Sequence, residues 1–250
     1  MPGRHLTSGS ARIVCIVAGM LLCCAPIKQL PWMKQDDTYQ CGSQLIEMLQ
    51  PPMSLAKQFF LAHSPIILVV LIVALLTVIG EPAKEILCFN HKAIINGQWH
   101  RVITGHLVHL SSTHALFNMI AAVIGWLLLK NVLTITQWFL TLLINAIIIS
   151  LFLLLSNVAW YVGFSALIHA LIPIAVGNDR KLSQPIKLLV IGGLAIKVIY
   201  EQVYGATLTT SQLIGGAVLV QSHLFGLISG IATLLFLKRE SLRAVVNRIL

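Results

Sequence analysis

The sequence predicts an all-α fold, a polytopic membrane protein built as a bundle of six transmembrane helices. Its 250 residues are 57% hydrophobic and only 10% charged, whereas a soluble domain carries about a quarter charged residues. The charges are also unevenly spread, because Lys130 is the only Asp, Glu, Lys or Arg between Val102 and Asn178. A chain with so few charges cannot cover a globule with a polar surface, which excludes soluble, disordered and fibrous proteins.

Six apolar runs approach or reach the length of about 20 residues that a helix needs to cross a bilayer. They lie at residues 61–80, 114–130, 135–155, 162–177, 185–203 and 218–237. They define a six-span domain at 59–238, which a basic tail at 239–250 follows. The stretch from Glu81 to Thr113 is predicted to be an ordered structure in the outer membrane interface.

The net charge of +9 could indicate a nucleic-acid partner, but the positions of the basic residues indicate membrane topology instead. Arg180 and Lys181 lie in one loop between spans. Four more basic residues follow the last apolar run, namely Lys238, Arg239, Arg243 and Arg248. Such clusters mark the cytoplasmic side of a membrane protein. We therefore predict a cytoplasmic C-terminus and no nucleic-acid partner.

Residues 1–58 form a poorly defined N-terminal extension with two open interpretations. The apolar run Ile13–Ala25 follows Arg4 and Arg12 and resembles the core of a signal peptide, although no convincing cleavage site comes after it. Alternatively, natural translation starts at Met53, just before the first span. N-terminal sequencing of the purified protein distinguishes the two.

A serine opens the fourth span, in the motif Gly163-Phe164-Ser165-Ala166. A serine hydroxyl is a weak nucleophile unless a base takes its proton. Gly163 would let the backbone turn sharply and leave the hydroxyl accessible. The structural alternative is a helix serine that hydrogen-bonds back to its own turn.

A histidine in the sixth span is the candidate base for this serine. At about 100° per residue, His223 shares a helix face with Gly226 and Gly230, a small-residue seam that lets another helix approach closely. Ser165 and His169 share one side of the fourth span. Two such faces could bring the hydroxyl and the imidazole within hydrogen-bond reach. The alternative is a packing histidine bonded to a neighbouring carbonyl.

Three histidines precede the second span or begin it, namely His106, His109 and His114. A helical zinc site would need two histidines at i and i+4 with a nearby carboxylate, and no acidic residue lies between Glu85 and Asp179. We therefore predict no metal and no other cofactor. His114 and Asn118, at i and i+4, are instead neutral donors that could stabilise an oxyanion.

The acidic residues limit the chemistry further, because none of the eight lies in the middle of a predicted span. This excludes a pair of intramembrane aspartates and argues against a Ser-His-Asp triad, so that a serine–histidine dyad remains. Lys197 and Glu201 form an i, i+4 pair near the outer end of the fifth span. We interpret them as an interfacial ion pair whose side chains reach water.

Together these motifs resemble the rhomboid intramembrane serine proteases over about Phe89 to Lys238. The resemblance rests on the run from Trp99 through Arg101 and Thr104 to His109, on His114 with Asn118, on Gly163-Phe164-Ser165-Ala166, and on His223 with Gly226 and Gly230. It implies proteolysis inside the bilayer of single-span membrane protein substrates.

The resemblance also implies roles for individual residues. Ser165 would be the nucleophile and His223 the general base. His114, Asn118 and the Ser165 backbone N–H would hold the oxyanion. Arg101 would brace the first external loop by internal hydrogen bonds, and the fifth span would be a lateral gate.

Within that family, the run Gly105-His106-Leu107-Val108-His109-Leu110-Ser111 and the position of His169 are similar to the rhombosortases. These are bacterial six-span proteins that process substrates with a C-terminal Gly-Gly motif, a hydrophobic helix and a basic tail. The resemblance implies the bacterial inner membrane as the location. His169 would line the pocket or position the dyad; a structural hydrogen bond is the alternative.

Three positions depart from the family pattern, His100, Ala166 and Ser222, and none of them removes a catalytic group. The alternatives to a rhombosortase-like enzyme are a conventional rhomboid protease with other substrates and an inert rhomboid-like binder of membrane clients. The presence of both serine and histidine counts against the binder. A small transporter that uses histidine and Lys197 as a relay is disfavoured by the missing intramembrane carboxylates.

Overall fold

The computed structural model describes residues 54–156 and 158–249, with side chains to residue 239 except at position 56. The signal-like segment Ile13–Ala25 and the alternative start at Met53 lie outside the described residues. The chain divides into two compact units, Met1–Phe59 and Phe60–Leu250. The described part of the first unit, residues 54–59, includes the beginning of a helix.

The described residues form ten helices and two short strands. In chain order they are α1 (Leu55–Ile79), α2 (Glu81–Leu87), β1 (Phe89–Asn90), α3 (His91–Ile95), α4 (Arg101–Thr104), α5 (Ser112–Leu129), α6 (Ile135–Leu155), β2 (Trp160–Tyr161), α7 (Ser165–Asn178), α8 (Gln184–Tyr204), α9 (Leu208–Ile214) and α10 (Val220–Ile249).

The prediction of a helical, multi-pass membrane protein is confirmed. Among the described helices, α1, α5, α6 and α10 are long and apolar enough to cross a membrane. Helix α7 is apolar but has only 14 residues. Helix α8 has 21 residues but carries three charged side chains, Lys187, Lys197 and Glu201. Four of the six predicted spans therefore meet the criteria of length and composition.

Helix α7 is the buried element of the second unit, and it packs against α5, α6, α8 and α10. Ten of its 14 residues are buried. Its contact with α10 is close because Gly226 and Gly230 face the carbonyl oxygens of Ala166 and Ala170, where a Cβ on either glycine would overlap the backbone. Helix α8 is much less buried than α7, since among its described side chains only Val198 is buried.

The stretch between α1 and α5 is ordered, and it holds the backbone that leads into α7. Strand β1 pairs with β2 in antiparallel register, with Phe89 opposite Tyr161 and Asn90 opposite Trp160. Two residues beyond β2, the Gly163 N–H donates to the Gly105 carbonyl at 3.1 Å. These backbone contacts fix the start of α7 against the loop.

Candidate active site

Ser165 and His223 meet at the seam between α7 and α10. The Ser165 Oγ lies 3.1 Å from the His223 Nε2, which is hydrogen-bond distance. His223 is buried, and both side chains line a cavity of about 370 Å³. The glycines of the seam explain the short distance, because the two helices approach until backbone touches backbone.

His114 and Asn118 form part of the wall of the cavity, which Ser165 also lines. Leu110 donates its N–H to the His114 Nδ1 at 3.4 Å, so the second ring nitrogen, Nε2, carries the hydrogen of the neutral ring. The Asn118 Nδ2 is buried and has no hydrogen-bond partner among the described residues. An unpaired buried donor is costly, and a ligand oxygen in the cavity would satisfy it.

Gly163 leaves space for the His114 ring, which is part of this wall. Its φ of 120° is in the region that disfavours side chains, and a Cβ there would lie 2.8 Å from the His114 Cε1 and 3.1 Å from the His114 Nε2. A glycine is therefore required both by the backbone conformation and by the histidine ring.

We expect Gly163→Ala to lower the catalytic rate by about 10²-fold or more, because the methyl group displaces His114 or Ser165. Gly97→Ala is the matched control, since Gly97 has a φ of 96° but nothing within 4 Å of its Cβ position. Turnover and thermal unfolding of both variants in detergent test the prediction. Equal losses in the two variants would contradict it.

The interpretation of Glu201 as a water-facing partner of Lys197 is wrong. The ion pair exists, with the Lys197 Nζ 2.9 Å from the Glu201 Oε1. However, the other carboxylate oxygen, Oε2, lies 2.8 Å from the His223 Nδ1, and the Glu201 side chain is only 12% exposed. The position of the acidic residues along the spans therefore did not exclude a carboxylate beside the histidine.

His169 stacks on His223, with ring centroids 4.1 Å apart and an interplanar angle of 10°. Its Nδ1 lies 2.8 Å from the Ser165 carbonyl oxygen, and its Nε2 lies 2.9 Å from the Lys197 Nζ. His169 does not line the described cavity. It packs behind His223 and contacts the backbone of Ser165.

The donor atoms of His169, Glu201 and His223 lie within 4.8 Å of one another, which is close enough to hold a metal ion. Lys197 places an ammonium group 2.9 Å from two of these atoms, the His169 Nε2 and the Glu201 Oε1. A metal ion would have to displace this internal cation.

Arg101 and His109 support the site from the loop. Arg101 is buried and donates from Nε to the Gln98 Oε1 at 2.7 Å and from Nη1 to the Cys88 carbonyl at 2.9 Å. The His109 Nε2 accepts the Phe164 N–H at 3.3 Å. This bond fixes the residue that directly precedes Ser165.

His106 joins the loop to α6. Its Nε2 lies 3.2 Å from the Ala146 carbonyl oxygen and 3.1 Å from the Ser150 Oγ. Burial lowers the pKa of His106 to about 4. Burial, with the neighbouring His114, lowers the pKa of His109 to about 3.

We expect the protein to lose stability as the pH falls from 6.5 towards 4. The two loop histidines, His106 and His109, are neutral when folded but bind protons below pH 6.5 when unfolded. Their contribution to the free energy of unfolding is therefore fully present above pH 6.5 and is lost as the pH falls towards the pKa values of the folded state. At pH 5 the loss is about 2 kcal/mol per histidine. Thermal unfolding in detergent at pH 7.5 and pH 5 measures the loss.

His106→Asn should reduce this pH dependence, whereas His100→Gln, at an exposed position, should retain it. An unfolding temperature that is independent of pH in the wild type would contradict the prediction.

The three departures from the family pattern have distinct surroundings. The His100 Nε2 lies 3.3 Å from the Ile86 carbonyl oxygen, while the adjacent Trp99 is 64% exposed. Ala166 is fully buried at the seam with Gly226. Ser222 donates its hydroxyl to the Leu219 carbonyl at 2.7 Å, which satisfies a polar group next to His223.

In a comparison with protein families, a family model described as the Rhomboid domain matches residues 96–240. No curated protein matches the chain. The matched range contains every residue that lines the cavity, and also His169, Lys197 and Glu201.

Proposed function

Because the chain belongs to the rhomboid family, we propose that it is an intramembrane serine endopeptidase in which Ser165 is the nucleophile and His223 the general base. The observation that carries this proposal is the distance of 3.1 Å between the Ser165 Oγ and the His223 Nε2. A nucleophile within hydrogen-bond reach of a base is the arrangement that covalent catalysis needs.

The reaction follows from this contact. The Ser165 Oγ attacks the substrate carbonyl carbon while its proton moves to the His223 Nε2. The carbon–nitrogen bond then breaks, and the leaving amine takes that proton, which leaves an ester on Ser165. A water molecule attacks the ester, gives one proton to His223 and releases the acid, and the proton returns to Ser165.

His114 and Asn118 supply the donors for the oxyanion of this reaction. The Asn118 Nδ2 is buried without a partner among the described residues, and the His114 Nε2 faces Gly163. Ser165 is the first residue of α7, and the first N–H groups of a helix have no acceptor within it. Its backbone N–H is the third donor.

The enzyme crosses the bacterial inner membrane six times in this proposal, with α7 and α8 as the two spans besides α1, α5, α6 and α10. The short α7 is surrounded by protein on most of its surface, so it needs less apolar length than a lipid-facing helix. The basic residues in the last part of α10, from Lys238 to Arg248, favour a cytoplasmic C-terminus. Helix α10 continues through this basic tail to Ile249.

The substrates are single-span membrane proteins, and we infer rhombosortase-like tails with a C-terminal Gly-Gly motif as the preferred class. Among the described residues, those that line the cavity include no Asp, Glu, Lys or Arg, which suits uncharged residues at the cleaved bond.

The test is cleavage in proteoliposomes of a reporter with a Gly-Gly motif, a hydrophobic helix and a basic tail. A second reporter replaces both glycines by leucine, and a third carries an unrelated single span. Selective cleavage of the first reporter supports the proposal. Cleavage of the third reporter alone would indicate a conventional rhomboid protease, and binding of all three without cleavage would indicate an inert binder.

A further inference from the structure

Glu201 and Ser165 lie at opposite nitrogens of the His223 ring. The Glu201 Oε2 is 2.8 Å from Nδ1, and the Ser165 Oγ is 3.1 Å from Nε2. A carboxylate accepts hydrogen bonds and cannot donate one, so it holds the ring hydrogen on Nδ1. The Nε2 lone pair is thereby directed at the serine hydroxyl.

Lys197 fixes the carboxylate in this position. Its ammonium group contacts the Glu201 Oε1 and the His169 Nε2, each at 2.9 Å. The His169 Nδ1 donates to the Ser165 carbonyl, which leaves its Nε2 as the acceptor for Lys197. The contacts therefore run without a break from His223 through Glu201, Lys197 and His169 to the backbone carbonyl of Ser165.

Helix α8 brings Glu201 to the histidine, and the next residue reinforces the docking. The Gln202 Nε2 donates to the carbonyl of Val220 at 2.9 Å, in the first turn of α10. Val198, one turn before Gln202, is fully buried. These contacts hold the outer end of α8 against α10, although most of α8 is not buried.

We propose that Glu201 is a positioning residue that orients His223 and completes a Ser165–His223–Glu201 triad from α8, with Lys197 holding the carboxylate in place. This inference rests on the proposed function, because it concerns the same reaction. When His223 takes the serine proton it becomes a cation, and a carboxylate 2.8 Å away stabilises that cation. The serine–histidine pair would otherwise have to develop this charge without a counterion.

Four variants of the full chain in detergent test the proposal. Glu201→Gln keeps the shape of the side chain but removes its charge, and Glu201→Asp restores the charge on a shorter side chain. Lys197→Met removes the contact that holds the carboxylate. Glu81→Gln is the matched control, since Glu81 forms an exposed pair with Lys84 on another helix.

The measurements are the rate of labelling by a fluorophosphonate, which needs no peptide substrate, and kcat and KM on a single-span reporter. For Glu201→Gln we expect kcat and the labelling rate to fall by about 10²- to 10⁴-fold, with KM changed by less than about threefold. Glu201→Asp should recover part of the loss, Lys197→Met should show a smaller loss, and Glu81→Gln should match the wild type.

A wild-type rate in Glu201→Gln would overturn the proposal. Failure of the wild type itself to react with the probe and to cleave any reporter would instead overturn the proposed function. If Glu201→Gln does not fold, the ¹⁵N spectrum of histidine-labelled wild type decides. A downfield Nδ1–H signal that is absent from His223→Ala supports the triad, and a His223 ring protonated on Nε2 alone overturns it.

Discussion

Replacement of Ser165 by alanine is expected to abolish cleavage of every single-span reporter, a loss of at least about 10⁴-fold in kcat. The change removes one oxygen atom, the atom that lies 3.1 Å from the His223 Nε2. Because alanine fits the start of a helix, we expect the thermal unfolding temperature in detergent to stay close to that of the wild type.

Ser183→Ala is the control for this variant. Ser183 is exposed, precedes α8 and makes no side-chain capping bond, so its loss should leave both cleavage and stability unchanged. Residual cleavage by the pure Ser165→Ala variant, at a rate within tenfold of the wild type, would contradict the assignment of the nucleophile.

Replacement of Gly226 by alanine is expected to destabilise the protein, although the same replacement in an exposed helix is stabilising. Alanine stabilises an exposed helix by about 1 kcal/mol relative to glycine. At Gly226, however, the added Cβ would overlap the Ala166 carbonyl oxygen. Helices α7 and α10 must then separate, which we expect to cost about 1–3 kcal/mol of stability. A displacement of His223 by about 1 Å should lower activity by about 10²-fold.

Gly193→Ala isolates the steric effect from helix propensity. Gly193 lies within α8, and nothing lies within 4 Å of the position that its Cβ would take. The Gly193→Ala variant should therefore have unchanged or slightly higher stability, whereas Gly226→Ala should lower both stability and activity. Wild-type activity in Gly226→Ala would show that the seam does not set the distance between serine and histidine.

The sequence located six of the ten described helices, because α1, α5, α6, α7, α8 and α10 each coincide with a predominantly apolar run. The four short helices, α2, α3, α4 and α9, were not predicted individually. The predicted fourth span at 162–177 corresponds to α7 at Ser165–Asn178, and the fifth at 185–203 to α8 at Gln184–Tyr204. The paired strands β1 and β2 were not predictable, since two residues carry no periodicity. They form because backbone groups of two distant segments meet beside Gly163.

Residues of the candidate site that sit on helix faces could be grouped from the sequence. Ser165 and His223 come together because two small-residue faces allow it, and i, i+4 spacing puts His114 and Asn118 on one side of α5. Glu201 was missed for a physical reason. Its i, i+4 spacing to Lys197 is typical of an ordinary surface ion pair, so the sequence did not indicate a further partner. Only the rotation of α8 against α10 decides where the carboxylate points.

One signal for Glu201 was nevertheless present in the sequence. Lys197, Glu201 and Gln202 lie within two turns of an otherwise apolar run, where each polar group costs free energy unless it has a partner. In the structure, His169, His223 and the Val220 carbonyl provide these partners.

Labelling of the detergent-purified protein by a fluorophosphonate tests most directly whether Ser165 is activated by His223. We predict covalent labelling of the wild type at Ser165, located by mass spectrometry of the modified peptide, and no labelling of Ser165→Ala or His223→Ala. A folded wild type that resists the probe, or a His223→Ala variant labelled at the wild-type rate, would contradict this account.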